Sequence, residues 1–456
     1  MPATRLTTLD ASFLELESSS AHMHVGWAAR FVPPPGRPAP RFDELRDHVA
    51  CRMGRAPRYR QKLAEVPLSL HDPVWVDDGE FNVERHVRRG DGADMGALVD
   101  DVMSEQLGRD RPLWELWIAD DLPDGAIGVI GKAHHAMVDG IAAVELASLL
   151  VDATPECAPP EPDGWLPASA PDAVSLMADA VADRAGQIAG LARWPIELTR
   201  HPKRIASLAG GAVPSARALA DSLRPSTPST CLNEPISARR HLARARRPLA
   251  DLKLIKNCFG ATVNDVLLAA VAGAMRAFFE ERGDAPVPLK TMVPVSVRPA
   301  DGAGELGNRI SFVFVDLPCQ EPDPVLRLAW IMDDMGRSKR EGRPEAADRV
   351  LKALGFVPRP VQHAVSHMVA SSRAFNLTVS NIPGPPQPLW MRGCELEEVY
   401  PVVPIPDRHA LSIGMTTLRD QAFFGIYAGC DALPDADRIG ELLDESIDEL
   451  LSLTSA

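Results

Sequence analysis

Six prolines fall between Thr154 and Asp172, in TPECAPPEPDGWLPASAPD, and they divide the chain of 456 residues. Proline fixes φ and donates no backbone N–H, so neither a helix interior nor a central strand runs through such a segment. The elements on either side must form independently. The sequence reads as a first unit over residues 1–153, a Pro-rich linker and helical crossover over 154–235, and a second unit over 236–456. This length exceeds one ordinary core, and two cores imply an interface, where pockets form.

Hydrophobic residues make up 45% of the chain and charged residues 24%, proportions of a folded globular protein. The formal net charge of -14 opposes nonspecific attachment to nucleic acid. Seven cysteines lie scattered without a C-x-x-C pair, which argues against a zinc site and against a secreted disulfide framework. The N-terminal MPATRLTTLDASFLELE lacks the apolar stretch of a signal peptide, and no run approaches the roughly 18–20 apolar residues of a membrane-spanning helix. A cytoplasmic location is the expectation. One segment, LARWPIELTRHPKRIASLAGG from Leu191, mixes Trp194, Ile196, Leu198 and Ile205 with Arg193, Arg200, Lys203 and Arg204. That mixture suits either a membrane interface or a crossover helix packed on the protein.

Both units have α/β texture. Trp27 to Val32, Ile127 to Ala133, Leu289 to Val297 and Ile310 to Leu317 read as strands, and Ala173 to Ala220 as the helical crossover. In AIGVIGKAHHAMVDGIAAVELASLL an apolar strand runs into His134, His135 and Asp139 before a helix starts near Gly140. Titratable groups at a strand-to-helix junction are held rigidly yet accessibly, and histidine suits proton transfer near neutrality. Two histidines at a strand end are also compatible with simple backbone hydrogen bonding. A metal site would need a third ligand beside His135 and Asp139, and no H-E-x-x-H pattern exists. No G-x-S-x-G turn supplies a serine nucleophile. Gly302, Gly304 and Gly307 satisfy G-x-G-x-x-G, but the following NRISFVFVDLP reads as a strand, so no dinucleotide site is implied.

HHAMVDG matches the H-H-x-x-x-D-G signature of CoA-dependent acyltransferases, a superfamily that includes chloramphenicol acetyltransferases and condensation domains. LDASFLELESSSAHMHVG near the start, RPLWELW from Arg111, TVNDVLLAAVAGA from Thr262 and NLTVSNIPGP from Asn376 extend the match. Together these segments resemble the bacterial wax ester synthase/diacylglycerol acyltransferase family in order and cover nearly the whole chain. The resemblance implies an α/β fold of two chloramphenicol acetyltransferase-like domains, joined by the helical crossover, with an active-site tunnel at their interface.

It further implies O-acyl transfer from a long-chain acyl-CoA to diacylglycerol or a fatty alcohol, with His135 as general base and no acyl-enzyme. His134 is then a supporting residue, and Asp139 a structural one paired with Arg298. Asn264 and Asn381 are the candidate oxyanion donors. Asp265 completes the family's Asn-Asp pair, yet Thr262 followed by Asp265 also reads as a capping box opening a helix. Pro112, Leu113 and Trp114 are expected to form a wall of the substrate site, with Gly384 contributing from a rigid NIPGP turn. No metal or cofactor is implied, since acyl-CoA is a substrate. The implied partners include a peripheral membrane or lipid-droplet surface. A condensation-type acyltransferase using a carrier-protein thioester and a noncatalytic lipid-binding protein are the competing readings.

Overall fold

A computed structural model of the chain describes residues 3–137, 149–157, 163–200, 227–296, 310–344, 347 and 359–455. Its strands are β1 (Thr4–Arg5), β2 (His24–Val32), β3 (Gln61–Ala64), β4 (Val74–Asp77), β5 (Val87–Arg89), β6 (Trp114–Ala119), β7 (Ile127–His134), β8 (Arg240–Pro248), β9 (Leu289–Ser296), β10 (Ile310–Leu317), β11 (Leu377–Ile382), β12 (Trp390–Met391), β13 (Cys394–Val402), β14 (Leu411–Leu418) and β15 (Gln421–Gly429). The helices used below are α1 (Thr8–Leu16), α2 (Phe42–Ala50), α3 (Met95–Ser104), α4 (Ala173–Arg200), α5 (Leu249–Phe259), α6 (Val263–Glu281), α7 (Pro324–Arg340), α8 (Arg359–Val369) and α9 (Ala436–Ser452).

Two six-stranded sheets form the frame, in the orders β12-β13-β2-β7-β6-β5 and β10-β9-β11-β14-β15-β8, with a small sheet β1-β4-β3 beside the first. β7 lies inside the first sheet, and all eight of its residues are buried. Its apolar run IGVIG, followed by a Lys132 whose ammonium is paired, is what a strand covered on both faces requires. Local chemistry also sets helix limits. Thr262 caps α6 with a reciprocal box to Asp265, Asp323 caps α7 ahead of Pro324, and α5 stops at Gly260 with φ +65°.

The sheets do not respect the sequence division. β12 and β13 come from the second unit but complete the first sheet, β13 pairing antiparallel with β2 from Glu395↔Val32 to Val402↔Gly26. One continuous buried cluster runs from Leu6 to Leu450 through both sheets, so the two halves meet over a shared apolar interior. β13 packs on β14 and β15 of the other sheet, where a Cβ on Gly425 would collide with the Pro401 carbonyl. Glycine permits that close backbone approach.

Side chains of α3 close the free edge of β8. The Arg240 amide donates to Ser104 Oγ at 2.8 Å and the Leu242 amide to Asp100 Oδ1 at 2.9 Å. An edge strand of one half is thereby paired to a helix of the other.

Candidate active site

β7 delivers the histidine pair, and its two neighbours fix where the chain leaves the sheet. His134 pairs with His24 of β2, and Ala133 with Trp114 of β6. The His134 amide then donates to the Leu113 carbonyl at 2.9 Å, and the His135 amide to the Met23 carbonyl at 2.9 Å. Met23 is buried and has φ +48°. A side-chain-bearing residue in that region is uncommon and costs on the order of 1–3 kcal/mol. The strain sits where a backbone acceptor meets the candidate base.

The His135 ring stacks on Phe13 of α1, centroids 3.7 Å apart and planes 19° off parallel. Its Nδ1 is buried, with no hydrogen-bond partner among the described residues beyond its own backbone carbonyl. Proton exchange with a bound ligand would then fall to Nε2. Burial pushes the imidazole down to about 4, so the ring is neutral at pH 7.

His134 is 1% exposed. Its Nδ1 accepts from the Ala136 amide at 3.0 Å, which places its own proton on Nε2. That Nε2 faces Glu17 Oε2 at 3.7 Å. Desolvation lowers His134 to about 3, with the Arg109 and His135 charges adding to it. Arg109 and Gln106 in turn hold the Glu17 carboxylate, at 2.9 Å from Arg109 Nε and 2.8 Å from Gln106 Nε2. Lys132, also 1% exposed, donates to the Val102 and Glu105 carbonyls at 2.8 and 3.1 Å and lies 3.3 Å from Glu115 Oε2, so β7 ties down the end of α3 as well. Both ring nitrogens of His134 thus face protein groups at the junction, Nδ1 the Ala136 amide and Nε2 the Glu17 carboxylate.

Pro112, Leu113 and Trp114 are buried. Trp114 donates its Nε1 proton to the Tyr59 carbonyl at 2.8 Å and stacks on His86. Its polar group is already spent, and truncating an aromatic so enclosed typically costs about 3–5 kcal/mol. The PLW element therefore acts as core that carries the Leu113 carbonyl to His134, rather than as an open substrate contact. Gly384 is likewise architectural. Its amide donates to Thr417 Oγ1 at 3.1 Å, and a Cβ would run into the Thr417 carbonyl.

Asp265 is a cap. Its Oδ2 accepts from the Thr262 amide and hydroxyl, both at 2.8 Å, and its amide donates to Thr262 Oγ1 at 3.2 Å. Asn264 beside it and Asn381 on β11 are partly exposed, and neither side chain hydrogen-bonds to another described residue. Asp139 and Arg298 lie outside the described residues, as do the glycines of the G-x-G-x-x-G match and the side chains from Leu191 to Gly211. Among the described residues no group of three or more metal-ligating side chains converges. A cleft of about 290 Å³ lined by Ala28, Arg30, Met95, Arg244 and Tyr400 opens farther along β2, away from the His24–His134 end.

Phe13, Glu17, Met23 and Arg109 take part in this site without having been singled out in the sequence. The first three fall in LDASFLELESSSAHMHVG, and Arg109 just precedes RPLWELW. The location of those segments was the available signal; their backbone contacts were not.

The sequence matches the wax ester synthase/diacylglycerol acyltransferase catalytic domain over residues 6–267 and the WS/DGAT C-terminal domain over residues 306–451. It is 31% identical to a Mycobacterium tuberculosis protein named a diacylglycerol O-acyltransferase, over 98% of this chain and 96% of that one. A second protein so named in the same organism is 30% identical, over 97% of each chain. The fold resembles the wax ester synthase/diacylglycerol acyltransferase of Marinobacter aquaeolei VT8, with a TM-score of 0.71, 25% identity, and coverage of 99% of this chain and 100% of that one. A trichothecene 15-O-acetyltransferase of Fusarium sporotrichioides shares the fold, with a TM-score of 0.60 at 12% identity over 99% of this chain and 95% of that one.

Proposed function

The chain belongs to the wax ester synthase/diacylglycerol acyltransferase family, and from that premise we propose that it moves a long-chain acyl group from acyl-CoA to diacylglycerol or a fatty alcohol with His135 as general base. The observation that carries the base assignment is the imidazole stacked on Phe13 at the end of β7, its backbone amide fixed by the Met23 carbonyl. The acceptor hydroxyl gives its proton to Nε2 as its oxygen attacks the thioester carbon. The tetrahedral oxyanion collapses, the C–S bond breaks, and the CoA thiolate takes the proton back from Nε2. Atoms and charge balance without an acyl-enzyme, and acyl-CoA serves as a substrate.

Asn264 and Asn381 remain the proposed oxyanion donors, each an uncharged amide whose side chain makes no hydrogen bond with another described residue. Losing such a donor typically costs about 3 kcal/mol of transition-state stabilisation. Asp139 and Arg298 enter as a proposed structural ion pair, and the passage that admits the two substrates as a tunnel between the halves.

The assay is CoA release from palmitoyl-CoA with diolein or hexadecanol, the lipid products being separated by chromatography. The expected result is product whose rate falls about 100-fold or more in His135→Ala. Equal product from that variant overturns the base assignment. No release with either acceptor overturns the substrate assignment and directs the search to carrier-protein thioesters.

We also propose contact with an anionic lipid surface. No single helix among the described residues is long and apolar enough to cross a membrane. Leu166 and, on α4, Val174 and Val181 are exposed apolar side chains at 84%, 75% and 58%, just ahead of the basic and apolar segment from Leu191. Vesicle flotation measures it.

A further inference from the structure

Arg240 opens β8 in the second half, yet its guanidinium belongs to the structure of the first. The residue is 3% exposed. Nη1 donates to the Ser237 and Arg239 carbonyls at 2.6 and 3.1 Å, Nη2 donates to the Ser20 carbonyl, and the buried Tyr427 hydroxyl lies against the same group. Among the described residues no carboxylate forms an ion pair with it. Burying a charge without a counter-ion is unfavourable, and a neutral side chain would join two elements at lower cost. What the guanidinium alone supplies is a rigid fork of donors that reaches carbonyls on two separate segments at once.

The segment it reaches is the turn between α1 and β2. Ser18 Oγ accepts from the Ser20 and Ala21 amides at 3.3 and 3.0 Å, the Ser18 amide donates to the Ala21 carbonyl at 2.9 Å, and the His22 ring meets the Ser19 carbonyl at 3.1 Å. Ala21, His22 and Met23 are all buried. The turn ends at Met23, in its strained conformation, whose carbonyl receives the His135 amide. Three residues of a closed turn and one hydrogen bond therefore separate the Arg240 anchor from the backbone of the base. Phe13, stacked on the His135 ring, leads into the same turn from α1.

We propose that Arg240 is a positioning residue for acyl transfer, which aligns His135 from the opposite half of the molecule by anchoring the Ser20 carbonyl and, through the Ser18–Met23 turn, the Met23 carbonyl. The inference rests on His135 being the base. It makes the docking of the two halves a condition for catalysis, since the base stands on one half and the anchor of its support on the other.

Arg240→Ala, Arg240→Lys, Ser104→Ala and His135→Ala in the full chain test it, by kcat and KM for palmitoyl-CoA and by thermal unfolding. Ser104→Ala removes the acceptor of the Arg240 amide and loosens the same contact between halves, leaving the guanidinium in place. The expected result for Arg240→Ala is a cooperative melt, unchanged KM and a kcat lower by about 10- to 100-fold, the size of loss that slight misplacement of a reacting group produces. Millimolar guanidinium should restore part of that rate and none of the rate of His135→Ala. Parental kcat in Arg240→Ala, or an equal fall in Ser104→Ala, overturns the proposal. Should Arg240→Ala fail to fold, Arg240→Lys is combined with Ser18→Ala: non-additive losses in kcat support one shared turn, and additive losses overturn it. An inactive His135→Ala beside a fully active Arg240→Ala rejects the positioning role alone, whereas an active His135→Ala rejects the base assignment on which it rests.

Discussion

As the proposed general base, His135, pushed down to about 4 by burial, is weak at rest, and its environment makes that weakness conditional. Enclosure of the His135 ring against Phe13 strengthens any charge that forms beside it. Two unit charges about 4 Å apart at an effective dielectric near 20 attract by about 4 kcal/mol, about a thousandfold in proton affinity. An oxyanion forming as the proton arrives thus raises the imidazole toward neutrality only during attack. For the free enzyme the sign is definite: the base works when deprotonated, so protonation removes activity. Initial kcat/KM after a pH jump should stay level through the ordinary histidine range near 6.5 and fall only as pH approaches about 4. An acid limb near 6.5 would mean a hydrated imidazole and would remove this account. Short times are needed because His134 and His409, buried and depressed to about 3 and about 4, also withdraw stability as pH falls below their unfolded value.

At the scale of elements, α3 is the bracket between the halves. Lys132 binds the carbonyls at its C-terminal end, Asp100 and Ser104 close the edge of β8, and His241 of β8 bridges Asp100 at 2.7 Å and Asp437 of α9 at 3.1 Å. The Asp100 hydrogen bond is the main cause that raises His241 to about 8. A raised histidine stabilises fully below its unfolded value, and the contribution disappears as pH rises through about 8. The melting temperature should fall across that interval, and His241→Gln should lower it at neutral pH while flattening the alkaline fall. An identical alkaline fall in His241→Gln would assign it to other groups. The capping box of α6 commits the Asp265 carboxylate to Thr262, whereas the Asn264 side chain makes no hydrogen bond with another described residue.

Across the whole molecule, the shared core and the transfer of β12–β13 into the first sheet make the halves mechanically dependent. The exposed valines of α4 lie outside that core. With phosphatidylglycerol vesicles the protein should float, and both Val174→Asp/Val181→Asp and Arg200→Ala/Lys203→Ala/Arg204→Ala should remain with the soluble fraction. Undiminished flotation of both variants would end the lipid-surface proposal. Loss only at elevated salt would isolate the electrostatic part, which is screened over about 10 Å at 0.1 M.

Features with local causes were legible in the residue order. The apolar run of β7, the Thr262–Asp265 box, the break at the Pro-rich segment and the position of HHAMVDG all follow from side chains within a few residues of one another. Which distant groups hold His135 emerged from the folded chain alone. Met23 and Ser20 act there through carbonyl oxygens, which every residue carries, so their participation leaves no mark on the residue type. The same is true of the Leu113 carbonyl under His134 and of β13 beside β2, because pairing across hundreds of residues depends on shape and register. Trp114 could be read as a substrate wall until Tyr59 and His86 enclosed it, and Arg240 as an ordinary strand residue until the other half closed over its guanidinium.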